Sequence, residues 1–210
     1  LDHIDTYLKF EEFKGLLKMS AENGLKVIEL VRDMRDLVEN GLAINPVNLS
    51  NAVDISSQIL SHVFSRKNIQ LEIDVSETII VFAEEVSLVN SVLNNLFTNS
   101  IKFSHSGSKL IVKASVLEDK VILTITDFGV GIPLEIMANL FDINHNSTCV
   151  GTDGEKGNGF GMPLVYKFMT AYGGHIDVSS KEEETNPNEH GTVFTLTFQT
   201  TPPAVDSARK

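Results

Sequence analysis

The chain is short of positive charge, nearly free of cysteine and without a long apolar run, and each shortage removes a class of function. Lys and Arg number 17 against 28 Asp and Glu, leaving a formal net charge of −11 over 210 residues. A surface that acidic argues against a broad nucleic-acid or anionic-membrane interface, because phosphate-rich partners are held by basic patches. A local basic site for one phosphate ligand remains compatible with it. One cysteine, Cys149, allows no disulfide framework within the chain, so a reducing, cytoplasmic compartment is expected. No His or Asp motif sits beside Cys149, which reads as an ordinary loop residue. No apolar stretch approaches the ~20 residues that a bilayer-spanning helix needs, and no secretory signal pattern opens the chain. The first residue is Leu1 rather than Met, so a piece of a longer protein is expected, with room upstream for a membrane anchor or sensor.

What is present divides at one boundary. Over residues 7 to 40, Phe10, Phe13, Leu17, Ser20, Gly24, Val27, Val31, Met34 and Val38 fall at alternating spacings of three and four, a heptad seam. Leu16, Leu30 and Leu37 widen it into a bundle face that a lone helix cannot bury, so association with another chain is expected. Asn-Gly and Pro in "ENGLAINP" (39–46) end that helix. Beyond it, helical spacing over 49–67, capped by Ser50 or Asn48, is followed by strands at 69–75 and 79–82 and a helix over 84–104. Leu88, Val92, Leu96 and the pair Ile101/Phe103 form the inner face of that last helix. A hairpin over 109–127 turns at Glu118-Asp119-Lys120, and a helix over 133–141 starts with Pro. After an irregular stretch, 142–160, come a helix from 161 to the Gly-Gly at 173–174 and two closing strands. The acidic "KEEETNPNEHG" between those strands reads as a mobile connector, and the tail from 201 as disordered.

Three features could carry chemistry. Asn95, Asn99 and Lys102 share one helix face. The plain reading is a solvated face; the functional one is a pair of hard amide oxygens for Mg²⁺ beside a cation for phosphate, since Mg²⁺ keeps waters and substrate phosphates in its shell. "DFGVGIP" (127–133) places an acid at a strand end before two glycines. That suits a capped turn, or a carboxylate accepting from a purine's exocyclic amine while the glycines admit a flat ring. A protein-kinase DFG is excluded, because its glycine loop, Val-Ala-Ile-Lys strand and His-Arg-Asp loop are missing. "GEKGNGFGM" (154–162) holds four glycines in nine positions, as a flexible surface loop or as a loop that closes over phosphates.

The order of these features resembles the catalytic and ATP-binding domain of sensor histidine kinases, within the GHKL ATPase superfamily. "NNLFTNSIKFS" is similar to the N box, "DFGVGIP" to G1, "LFD" to the F box, "GEKGNGFGM" to G2 and "HGTVFTLTF" to G3, over about 45–199. The resemblance implies a two-layer α/β sandwich of the Bergerat type, a mixed sheet packed on helices, over 45–200. The heptad helix (1–42) resembles the second helix of a dimerisation and phosphoacceptor hairpin, and implies a homodimer. By the same resemblance Asn99 with Asn95 would coordinate Mg²⁺, and Lys102 would meet the phosphates. Asp127 would read the adenine amine, with Gly129, Gly131, Ile132 and Thr192 about the base. Phe141 would anchor a lid formed by Lys156, Gly157, Asn158, Gly159, Phe160, Gly161 and Met162. ATP is the implied ligand, a response-regulator receiver domain the implied partner, and nucleic acid is not expected.

The chain departs from the pattern in places. Asn99 is followed by Ser100 where Ala is usual, and G2 has Asn158 and Phe160 where Thr and Leu are common. The phosphoacceptor box is missing: His3 is followed by Ile4 and Asp5 with no nearby Pro, and His62, His105, His145, His175 and His190 read as surface or loop histidines. The acceptor and its adjacent base are therefore unnamed, and the expectation is nucleotide binding without self-phosphorylation. A pseudokinase scaffold and another GHKL ATPase, such as a serine kinase or a dimer clamp, are the alternatives.

Overall fold

Period-two alternation in two strands determines where everything else packs. The computed structural model describes residues 42–145, 149–155, 157 and 159–203. The heptad helix, Lys156, Asn158 and the end of the tail lie outside the described residues. The chain divides after Gly41, and all the elements named below belong to the second unit.

Strands β4 (Lys109–Leu117) and β5 (Lys120–Asp127) form the expected hairpin, with Glu118 at φ 55° in its turn. They join β2 (Gln70–Asp74), β6 (His175–Lys181) and β7 (Gly191–Gln199) in a five-stranded sheet of order β2-β4-β5-β7-β6. In that sheet only β2 and β4 run parallel, so it is mixed, as the α/β sandwich requires. Alternate residues Val121, Leu123 and Ile125 of β5 and Phe194, Leu196 and Phe198 of β7 are all buried. That apolar row is covered by helices, which is how a sheet with one wet face is stabilised.

The covering layer contains α1 (Leu49–Ile59), α2 (Ser61–Arg66) and a long helical run, α3. Asn48 caps α1 by accepting from the Asn51 N–H at 2.9 Å. The single helix expected over 49–67 is interrupted at Leu60, whose φ of −94° and ψ of 5° leave helical geometry. No strand is expected over residues 45–48, yet they form strand β1, paired antiparallel with β3 (Ile80–Ala83) in a separate two-stranded ribbon. Its Val47 supplies one buried side chain, too little alternation to signal a strand.

Run α3 comprises Glu85–Ser87, a π-helical Leu88–Leu93 and the α-helical Asn94–Phe103. Leu88, Val92, Leu96 and Ile101 are buried, and Phe103 is half-buried. Each fully buried leucine of this kind contributes roughly 1.5–3 kcal/mol. The helix expected over 133–141 shrinks to one turn, α4 (Leu134–Met137). Helix α5 (Gly161–Ala171) ends before Gly173 at φ 72°. The Tyr172 hydroxyl beyond its end pairs with Ser87 on α3 at 2.7 Å.

Candidate functional site

Asp127 is the last inward-facing residue of the β5 row that begins Val121, Leu123, Ile125, and its register partner is Thr192 on β7. The same alternation that buries three apolar side chains therefore buries a carboxylate, which is 4% exposed. One oxygen, Oδ1, accepts from the Gly129 and Thr192 N–H groups, each at 3.1 Å. Burial dominates and raises its pKa from 3.8 to about 6, while those two N–H groups pull the other way. Ser100, 1% exposed, also lies where its hydroxyl favours the charged form. Its Oγ nevertheless has no partner in hydrogen-bond geometry, so the backbone amides are the groups that hold Asp127.

The turn after Asp127 is forced to be glycine. A Cβ on Gly129 would stand 2.3 Å from the Phe103 carbonyl oxygen, and one on Gly131 (φ 75°) would stand 2.2 Å from that of Lys181. In return Val130 N–H donates to Phe103 O at 3.0 Å, which ties the turn to the end of α3. The Ile132 N–H donates to Ser180 Oγ at 2.8 Å. His190 is more than a loop histidine: its Nδ1 lies 2.6 Å from the Gly129 carbonyl. A carbonyl only accepts, so Nδ1 carries the hydrogen.

Asn95, Asn99 and Lys102 follow the π-helical turn, in which Asn94 N–H reaches Val89 O. Such wide turns reset the direction of the side chains that follow, and they concentrate at functional sites. Asn95 gives its Nδ2 to Ser91 O at 2.7 Å, leaving its Oδ1 toward Gly161, where a Cβ would stand 2.8 Å away. Lys102 Nζ donates to the Cys149 carbonyl at 2.6 Å.

These elements enclose a cavity of about 380 Å³. Asp127 and Thr192 reach it from the sheet, and Asn95, Asn99 and Lys102 from α3. Gly131 and Ile132 contribute from the turn, and Gly157, Gly159, Gly161 and Met162 from the glycine-rich segment and the start of α5. Of the other residues singled out, Gly129 stands behind the turn against Phe103. Phe141 packs on Tyr166 with ring centroids 5.4 Å apart and does not line the cavity, and neither does Phe160.

Sequence reasoning missed part of the wall. Cys149 and Val150 line it, as do Glu182, Glu183 and Glu184 from the acidic connector. That connector is pinned by a Glu183 N–H bond to Val130 O at 3.0 Å and by a 2.8 Å pair between Glu183 and His105. The acidic run has the composition of a mobile connector, although its last residue, Gly191, stands at φ 126°. The cavity is thus acidic beside the turn and basic beside Lys102. Such a division suits a ligand with amine donors at one end and anionic oxygens at the other. Among the described residues no three His, Cys, Asp or Glu side chains could hold a metal together. A hard cation would have to share the amide oxygens of Asn95 and Asn99 with oxygens of its ligand, which is how Mg²⁺ commonly sits with phosphates.

Residues 84–202 match the family described as Histidine kinase-, DNA gyrase B-, and HSP90-like ATPase. The sensor protein KdpD of Clostridium acetobutylicum is 28% identical over 155 residues, covering 69% of this chain and 17% of that protein. The solved Acinetobacter baumannii histidine kinase AdeS superposes with a TM-score of 0.66 at 25% identity, over 89% of this chain and 85% of that one. Histidine kinase ThkA, solved in complex with response regulator protein TrrA, shares the fold, with a TM-score of 0.59 at 19% identity over 85% of this chain and 49% of that one. The chain spans between 17% and 37% of the length of the first four curated relatives it matches. Among the described residues no helix is long and apolar enough to cross a membrane. With a mixed five-stranded sheet packed on helices and a buried aspartate over a glycine-walled cavity, the chain belongs to the histidine kinase-, DNA gyrase B- and HSP90-like ATPase family and carries the catalytic, ATP-binding domain of a sensor histidine kinase.

Proposed function

We propose that the cavity binds Mg-ATP with its base on Asp127, and that the γ-phosphoryl group passes to a histidine supplied outside this domain and then to a response-regulator aspartate. The observation that carries this reading is Asp127 itself, a carboxylate 4% exposed and held by backbone amides. A protein gains nothing in stability from a buried acid without a cation, so a donor-bearing ligand is its natural complement. The adenine amine is such a donor. Gly131 and Ile132 leave room for the ring, and Thr192 fixes the carboxylate from the opposite strand.

At the other end, Lys102 and the first N–H groups of α5, at Gly161 and Met162, offer positive potential to phosphates. Asn95 and Asn99 would hold Mg²⁺, which would neutralise phosphate charge. The domain's own contribution is positioning and electrostatics, the main sources of rate in phosphoryl transfer. Dimerisation through the heptad helix would bring an acceptor within reach, and sedimentation of the full chain tests it, a monomer at all concentrations counting against it.

The direct experiment is calorimetric titration with ATP, with and without Mg²⁺, for the full chain and for Asp127→Asn. Saturable binding that the substitution weakens about ten- to a hundredfold is expected, the worth of one hydrogen bond to a charged acceptor. Absence of heat and of competition with a labelled nucleotide would overturn the reading and favour a scaffold. Incubation with labelled ATP, a receiver domain and a separately supplied phosphoacceptor hairpin then asks whether the phosphoryl bond formed is acid-labile, as histidine or aspartate transfer requires and serine transfer does not.

A further inference from the structure

Lys67 stands at the end of α2, remote in sequence from every motif, and is 4% exposed. A buried lysine has to be compensated, and this one is, threefold. Its Nζ contacts Glu155 Oε1 at 2.9 Å, Asp153 Oδ2 at 3.7 Å and the backbone carbonyl of Lys102 at 2.9 Å. Glu155 in turn takes the Asp153 N–H on Oε2 at 2.9 Å, and its own carbonyl accepts from Gly151 N–H at 2.8 Å. Lys67 also holds Glu155 toward its charged form, against partial burial.

The same segment, Gly151–Glu155, is fixed to the end of α3 from the other side. The Thr152 N–H reaches Lys102 O at 3.1 Å, and its hydroxyl donates to Ser104 O at 2.7 Å. A Cβ on Gly151 would stand 2.6 Å from Lys102 Cγ, so the segment lies directly on the lysine's stem. The irregular stretch after residue 142 is therefore interrupted by a fixed clasp. Chain on both sides of it lines the cavity: Cys149 and Val150 before, Gly157 and Gly159 after. The Lys102 ammonium reaches the first of these at Cys149 O, and a Cβ on Gly157 would stand 2.9 Å from the same Nζ.

We infer that Lys67 is a positioning residue for the nucleotide site: through Glu155 and the Lys102 carbonyl it locks the 151–155 clasp onto the end of α3 and so sets where the Lys102 ammonium meets the cavity. This rests on the Mg-ATP reading. Lys67 touches neither the cavity nor the reacting atoms. It acts at the phosphate end alone, because Asp127 and its turn are held by Phe103, Ser180 and Thr192 instead.

The test compares Mg-ATP with adenosine as competitors of a labelled nucleotide, for the full chain and for Lys67→Met, Glu155→Gln, the double variant and Lys67→Arg. Mg-ATP affinity is expected to fall about tenfold in each single variant. The double variant should lose little more, since the two changes break one device. Adenosine affinity is expected to stay within a factor of about two, as a change confined to the phosphate end requires, and Lys67→Arg to recover most of the loss. A merely structural lysine would lower thermal stability while leaving the ratio of Mg-ATP to adenosine affinity unchanged, and that result overturns the inference. If Lys67→Met does not fold, Glu155→Gln, which changes a partly exposed side chain, decides by the same ratio. A wild-type chain that binds neither ligand refutes the Mg-ATP reading itself, an outcome distinct from an unchanged ratio.

Discussion

Replacing Asp127 by Asn should stabilise the ligand-free chain and weaken its grip on nucleotide, and the pH dependence separates the two effects. The carboxyl's pKa is raised from 3.8 to about 6 by burial. A raised acid pKa means that the folded chain binds the proton more tightly than the unfolded one. The associated stability is fully present below pH 3.8, declines as pH rises and is lost once pH passes about 6. The shift of about two units corresponds to ~3 kcal/mol at about pH 7–8. An amide at the same place can still accept the Gly129 and Thr192 N–H groups on its oxygen, and its nitrogen can donate to the otherwise unpartnered Ser100 hydroxyl. The introduced amide carries no charge to desolvate. The variant is therefore expected to match the wild type near about pH 4 and to exceed it by ~3 kcal/mol above about pH 7, a rise of roughly 6–12 °C in Tm for a domain of this size. Urea denaturation of both chains from about pH 4 to 8.5 measures the difference, in which the titration of the surface carboxylates cancels. A variant that is less stable at the alkaline end, or a gap that does not change with pH, would show that desolvation does not dominate at Asp127.

Two further outcomes follow from the same geometry. If the adenine amine donates to Asp127 as proposed, it needs the ionised carboxylate, and nucleotide affinity should tighten about tenfold from roughly pH 5 to 7, titrating near 6, with the slope absent in Asp127→Asn; equal slopes in calorimetry would refute the contact. Gly129→Ala would drive a Cβ to 2.3 Å from the Phe103 carbonyl, so a loss of at least ~2 kcal/mol in urea denaturation is expected together with weakened ATP binding, and an unchanged midpoint would mean that the turn is not held against α3.

Strand alternation and helical spacing are legible in the sequence because both reflect burial on one face, and the β5 and β7 rows obey them down to Asp127 and Thr192. The glycines of the turn are legible for a related reason: a Cβ has nowhere to go, and the sequence records that as Gly129 and Gly131. What escapes depends on partners distant in sequence. Strand β1 has too few residues to show a period, and it exists because Ile80–Ala83 offers an edge. The π-helical turn leaves no compositional trace, since Leu88–Leu93 would suit an α-helix equally well. Lys67 has the sequence setting of a helix-end cation; its burial depends on Glu155, 88 residues away. The lid-anchoring role that the family pattern implies for Phe141 is legible only by resemblance; that its ring packs on Tyr166 of α5 is not written in its local sequence.

The two ends of the cavity are thus supported by different parts of the chain. At the base end a buried acid is held by backbone amides from its own turn and the neighbouring strand, so the site carries a charge that a ligand's donor relieves. At the phosphate end the cation is already engaged with the chain around it, and what needs fixing is its direction. A carbonyl at the end of a helix can take several donors, and Lys102 O takes the Thr152 N–H and Lys67 Nζ together. On the Mg-ATP reading proposed above, binding energy at the first end would come from relieving desolvation, and at the second from pre-set geometry. A nucleoside lacking phosphates should therefore feel Asp127 and be indifferent to Lys67, while inorganic phosphates should do the reverse. That division follows from where each group is anchored, and no single loop movement would produce it.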